Sequence, residues 1–243
     1  MVRTRVFWET LSMPRQSRDD RAGQIYHALN RGNQRQEIFH KPGDYEAFIR
    51  VLDEGLQKYP VELFCFTLMP NHWHLVLRPV KDGQMGRLLR WVTATHTLRY
   101  RGHYHNRGSG HLYQGRFKSF PVAADEHFYV VCRYVDRNPL RAGLVTAAKD
   151  WPYGSLYRWN QPKEPDPALL SHWPIRRLPA WNERVDAALT PGELKALPTC
   201  VDRSRPHGSE EWTEEIAERH GLWHTLRPAS RPRKRPKPKV PSP

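Results

Sequence analysis

Cysteine is scarce in this chain of 243 residues, which has three of them, Cys65, Cys132 and Cys200. They lie far apart and form no Cys-x-x-Cys pair. That argues against a disulfide framework or a cysteine zinc site and fits a reducing compartment. Long apolar runs are missing as well: no stretch approaches the ~20 residues needed to span a bilayer. The N-terminal segment is charged but lacks the apolar centre of a secretory leader. No internal repeat is visible. These absences predict a soluble, cytoplasmic protein with no membrane partner, nucleoid-associated if it works on DNA. Acidic side chains are in deficit, 25 against 39 Lys and Arg, for a formal net charge of +14 at pH 7. Such an excess favours a polyanionic partner, nucleic acid first among them; the plainer alternative is a basic, solvated surface. Hydrophobic residues make up 38% of the chain, which suffices for the core of one substantial domain with appended elements.

Periodicity divides the chain. Residues 1–22 are polar and aperiodic and read as a flexible lead. QIYHALNR reads as a strand broken at Arg31-Gly32-Asn33. A helix capped by Asp44 runs to about Tyr59, with Phe48, Val51, Leu52 and Leu56 at helical spacing, and Pro60 ends it. VELFCFTLM and HWHLVLRP flank the turn Met69-Pro70-Asn71 and predict an antiparallel hairpin. Gln84 to Tyr100 is helical in period, FKSFPV is a further strand, and Asp125 starts a helix that stops at Asn138-Pro139. The order β-α-β-β-α-β-α predicts an α+β, ferredoxin-like antiparallel sheet with helices on one face, spanning residues 23–159. Residues 160–226 form an extension. Its proline- and tryptophan-rich first part resembles a strap more than a core, and short helices follow over Pro191–Leu197 and Ser209–His220. Residues 227–243 are basic and proline-rich and read as a disordered tail.

His72 and His74 are two apart on the second hairpin strand, so both imidazoles point to one face while Trp73 points to the other. Such a pair can hold a metal ion, or merely share a strand face; alone it is a weak pattern. On the helix after Asp125, Phe128, Val131, Cys132 and Val135 form the apolar stripe. Two tyrosines compete for a chemical role there. Asn138 follows Tyr134 by four residues and shares its side, whereas Tyr129 points nearly opposite. Tyr134 could instead be a packing residue, and Asn-Pro ordinary helix-stop chemistry. A phenol is a weak nucleophile, and a phosphodiester repels attack by its charge. A divalent cation bound to the phosphate would draw off that charge and orient the phosphorus for in-line displacement.

The segments YHALNRGNQRQEIF, CFTLMPNHWHLVLRP, GSGHLYQGRFKSF and RYVDRNPLRAGLV, followed by DWPYGSL, stand in this order over about residues 23–157. With them the chain resembles the HUH single-tyrosine transposases of bacterial insertion sequences, above all the REP-associated tyrosine transposase branch. The resemblance implies an RRM-like sheet (the HUH endonuclease fold), a divalent metal (Mg²⁺ or Mn²⁺), and cleavage of single-stranded DNA near hairpins through a 5′-phosphotyrosine. It implies His72 and His74 as metal ligands, Tyr134 as nucleophile and Asn138 as the polar third ligand. It also places the turn holding Arg31 and Asn33 near DNA.

Arg116, Lys118, Arg133, Arg137 and Arg141 surround the expected site as candidate phosphate contacts, or as a solvated basic face. Tyr104, Tyr113, Phe117 and His111 could stack on unpaired bases or pack down on the sheet. The expected partner is single-stranded DNA with REP-like hairpins, bound by a monomer or a homodimer. Three other readings compete with a transposase. One is a hairpin binder that kept the fold and lost cleavage; another is a replication initiator or relaxase, disfavoured by the short chain. A histidine-metal hydrolase comes last, for want of a carboxylate base beside the pair.

Overall fold

The computed structural model describes residues 19–106, 108, 110–163 and 167–227. The segments before residue 19 and after residue 227, where the sequence predicts a flexible lead and a disordered basic tail, lie outside these residues. Four strands, β1 (Ile25–Arg31), β2 (Val61–Met69), β3 (His72–Pro79) and β4 (Lys118–Val122), form one antiparallel sheet in the order β2-β3-β1-β4. With α1 (Pro42–Lys58) after β1 and α2 (Gln84–His103) after β3, this is the βαββαβ topology of a ferredoxin-like fold.

Helices cover both faces of the sheet, which corrects the expectation of one. Tyr26, Ala28, Trp73, Leu75 and Leu77 pack under α1 and α2, while Ile25, Val76, Phe120 and Val122 face α3 (Glu126–Asp136). The physical reason stood in β2, whose sequence is apolar almost throughout and therefore needs cover on both sides. A register shift between Leu63 and Cys65 helps divide those residues. It leaves Phe64 and Cys65 both in the α3-side core, and Leu63 and Phe66 in the other. On the first face α1 and α2 approach closely at Gly55, where a Cβ would meet Leu88 Cδ1 at 2.7 Å.

After α3 come α4 (Asn138–Arg141) and α5 (Ser155–Trp159), then α6 (Trp181–Asp186), α7 (Pro191–Arg203), α8 (Glu210–Arg219) and α9 (Trp223–Leu226). The extension is core-forming rather than a strap: Trp181, Val185, Leu197 and Cys200 are buried in the α3-side cluster. It also closes sheet edges that would otherwise expose backbone groups. Beside β4, Ala123 N–H donates to the His207 carbonyl and His207 N–H to the Pro121 carbonyl, both at 2.9 Å. Beside β2, Trp173 Nε1–H donates to the Phe64 carbonyl at 2.9 Å. Helix α7 runs through Pro198, six residues past its predicted end at Leu197, because Leu197 and Cys200 are drawn into the core. Helix α8 starts at the Ser209 cap as expected, and Gly221, at φ +69°, takes the left-handed turn that ends it. Among the described residues, no helix is long and apolar enough to cross a membrane.

Candidate active site

Alternation on β3 turns His72 and His74 toward α3 and sends Trp73 into the opposite core, fully buried. The two imidazole centroids lie 4.9 Å apart, with the rings at 81°. His72 Nδ1 is 2.5 Å from Asn71 Oδ1, and His74 Nδ1 is 2.9 Å from His27 Nε2. In both rings the δ nitrogen is engaged and the ε nitrogen is open to another partner. Burial holds these imidazoles neutral at pH 7. Desolvation, reinforced by Arg31 and Arg141, pushes His72 down to about 3. Desolvation, with His207, takes His27 to about 3. His74 is held well below the usual imidazole range, by desolvation first and by the neighbouring histidines and arginines after it. Neutral imidazole is the form that offers a lone pair to a cation.

Helix α3 buries Phe128, Val131, Cys132 and Val135, leaving Tyr134 half-buried on the shoulder of that stripe. Its ring stands edge-on to His74 at 5.7 Å between centroids and to His27 at 6.4 Å. The Arg141 guanidinium lies 5.2 Å from its centroid, a positive charge beside the phenol. Tyr129 is turned away under the extension, where its hydroxyl donates to the Arg176 carbonyl at 2.5 Å and its ring packs near Trp173 and Trp181. Asn138 does not end the helical path. Arg137 keeps helical angles and Asn138 opens α4. The Asn138 side chain is buried; its Oδ1 accepts from Arg141 Nη2 at 3.2 Å, and its Nδ2 has no partner.

Arg31, His74, Arg116, Lys118, Tyr134 and Arg141 together line a cavity of about 550 Å³, closed on one side by Pro198, Val201 and Asp202 of α7. Asn33 is not on this wall. It sits in a short 3-10 turn, with its N–H bound to the Leu112 carbonyl at 2.8 Å. Arg133 and Arg137 do not face the cavity either. Arg133 pairs with Glu193 at 3.1 Å and donates to the Ala188 carbonyl, and Arg137 donates to the carbonyls of Val185 and Asp186. These two hold the extension against α3, a role that the sequence spacing could not distinguish from phosphate binding. The loop aromatics divide the same way: Phe117 is buried, and Tyr113 is buried with its hydroxyl 2.7 Å from His96 Nδ1. The Tyr104 hydroxyl donates to Asp44 at 2.6 Å, while His111 is exposed.

A larger cavity, of about 1030 Å³, opens beside β4 between α2 and the α8–α9 turn. It shares Arg116 with the first and adds Arg87 and Arg90. It holds neither of the two histidines nor Tyr134, whereas the smaller cavity is lined by His74 and Tyr134 and is the candidate active site.

By donor type, the open Nε2 atoms of His72 and His74 and a spare lone pair on Asn138 Oδ1 could serve a divalent cation. Among the described residues, three His or acidic ligand atoms come within 4.8 Å of one another at Asp125, Glu126 and His127. There Asp125 already serves as the α3 cap, accepting from the His127 backbone at 2.9 Å. His27 was missed by sequence reasoning. It pairs across the sheet with Val76, so it lies diagonal to His74 on the same face, a relation that only the register supplies.

The sequence model of the IS200-like transposases matches residues 21–138. A Haemophilus influenzae protein provisionally named as a REP-associated tyrosine transposase is 26% identical over 111 residues, which is 42% of this chain and 62% of that protein. The matched segment thus spans less than two thirds of that relative. A solved REP-associated tyrosine transposase bound to a REP hairpin aligns with 68% of this chain and 99% of its own, at 16% identity and a TM-score of 0.48. A protein from Deinococcus radiodurans R1, provisionally named a transposase, aligns with 54% of this chain and 92% of its own, at 12% identity and a TM-score of 0.36. By the family match, residues 21–138 of this chain are similar to the IS200-like transposases.

Proposed function

We propose that this protein is a transposase: a metal-dependent endonuclease and strand transferase that cuts single-stranded DNA near hairpins. One observation carries the reading. The ring of Tyr134 stands 5.7 Å from that of His74, in a cavity otherwise lined by Arg31, Arg116, Lys118 and Arg141. The match to the IS200-like family model and the H. influenzae relative support it.

In this reading the phosphate of a bent single strand enters the cavity and is bound by the cationic side chains. His72, His74 and Asn138 would hold the cation, Mg²⁺ or Mn²⁺, which supplies charge withdrawal from the phosphate when bound. Tyr134 Oη attacks phosphorus and the bond to the 3′ oxygen breaks. The products are a 5′-phosphotyrosine and a free 3′-hydroxyl, the phenol proton balancing the alkoxide that leaves. Reversal by another 3′-hydroxyl regenerates the phenol and joins strands without an external energy source. Arg141 keeps a positive charge beside the ring throughout. The REP hairpin bound by the solved relative suggests the kind of fold-back that would flank the cleavage point.

The test is incubation with end-labelled, hairpin-bearing single strands plus Mg²⁺ or Mn²⁺. A labelled protein band that survives denaturation, and that vanishes with chelator, is expected. Tight strand binding with no such band would instead identify a binder that has lost cleavage.

A further inference from the structure

We propose that His27 is a positioning residue for His74: its Nε2 accepts from His74 Nδ1–H and so leaves the His74 Nε2 lone pair to the cation. This rests on the metal reading given above.

The two ring nitrogens are 2.9 Å apart and both side chains are buried, His27 at 1% exposure and His74 at 3%. The rings are nearly parallel, at 20°, and Phe120 packs on the far side of His27 at 4.9 Å between centroids. Two neutral imidazoles in this contact share one hydrogen, and there are two ways to place it. If His27 donates, His74 carries its hydrogen on Nε2 and cannot ligate through that atom. If His74 donates, its Nε2 is bare, and the hydrogen of His27 moves to Nδ1, a buried atom with no partner. Only the second arrangement suits a ligand. Its unpaired Nδ1–H is a desolvation cost that cation binding offsets, so binding selects the tautomer. Outer partners of this kind orient metal-bound histidines and raise their basicity. Val76 opposite His27, two residues from His74, is the register that makes the contact.

The experiment uses the full chain, with Mn²⁺ affinity measured by titration calorimetry for the wild type, His27→Gln and His27→Leu. Glutamine presents an acceptor oxygen close to the place of the imidazole Nε2, and leucine presents none. Leucine is expected to lose roughly 10- to 100-fold in Mn²⁺ affinity, and glutamine to recover most of it, at matched melting temperatures. Long-range ¹H–¹⁵N spectra of the wild type saturated with Mg²⁺ read the tautomer directly, with His74→Gln assigning the signal. His74 protonated at Nδ1 supports the proposal, and protonation at Nε2 overturns it whether or not either variant folds. A leucine variant that is folded and binds like the wild type also overturns it. A wild type that binds no Mn²⁺ or Mg²⁺ removes the metal reading itself, and this inference with it.

Discussion

Lys118 Nζ and Asp202 Oδ1 lie 2.8 Å apart, joining the first residue of β4 to α7 on the wall of the cavity that holds Tyr134. The pair brings a carboxylate from the extension to a cation that the sequence offers as a candidate phosphate contact. Both side chains are at least half exposed, so the pair contributes at most about 1 kcal/mol to folding. Its weight falls on binding. Asp202→Asn should leave the melting temperature unchanged and tighten single-strand binding several-fold at low salt. Lys118→Ala should weaken binding and make the slope of log K against log salt shallower by about 0.7. Fluorescence anisotropy over a salt series measures both, and an unchanged slope in Lys118→Ala would remove this lysine from the phosphate path.

Tyr134 and Tyr129 are set apart by their surroundings, and their phenylalanine variants should part accordingly. Tyr134→Phe keeps the half-buried ring and should melt like the wild type while forming no denaturation-resistant DNA adduct. Tyr129→Phe loses the hydrogen bond to the Arg176 carbonyl, a cost of about 0.5–1.5 kcal/mol, and should still form the adduct. An adduct that persists in Tyr134→Phe would displace it as the nucleophile.

Arg116 walls both cavities, and Arg87 and Arg90 line the larger one. A strand leaving the active site past Arg116 would meet these two next. The double variant Arg87→Ala, Arg90→Ala should therefore weaken long single strands more than short ones, with adduct formation on short strands retained. Equal loss on both lengths would show that the larger cavity lies off the path.

Asp136 is a buried hub, accepting from Ser155 Oγ at 2.7 Å, Trp181 Nε1 at 3.2 Å and Cys65 Sγ at 3.3 Å. Desolvation raises its carboxyl above the ordinary value, although these donors and Arg177 pull it back. The folded state thus holds the proton to higher pH than the unfolded chain does. The stability linked to that proton is present below about 3.9 and is lost as pH rises through the folded value. Asp136→Asn keeps an acceptor and removes the charge, so its stability relative to the wild type should improve from pH 4 to pH 7 in urea melts. Asp136→Ala orphans the donors and should cost about 2–4 kcal/mol at pH 4, a cost that narrows toward pH 7 in parallel with asparagine. A pH-independent difference between asparagine and wild type would show that the carboxyl stays ionised in the fold.

Local chemistry wrote much of this protein directly into its sequence. The period-two strands, the helix stripe of Phe128, Val131, Cys132 and Val135, and the turn at Met69-Pro70-Asn71 all depend on neighbours a few residues away. So does the choice of Tyr134 over Tyr129, since both stand on one helix whose face follows from 100° per residue. Other features depend on which distant segments meet, and no local period carries that. His27 reaches His74, 47 positions along the chain, through a specific strand register. Arg133 and Arg137 look like their cationic neighbours in sequence, yet α6 and the start of α7 lie close enough to take them. The acidic side chain in the wall of the candidate site, Asp202, comes from the extension folding back. Burial of Trp181, Val185, Leu197 and Cys200 drives that return, an energy that appears only when the remote surfaces are in contact.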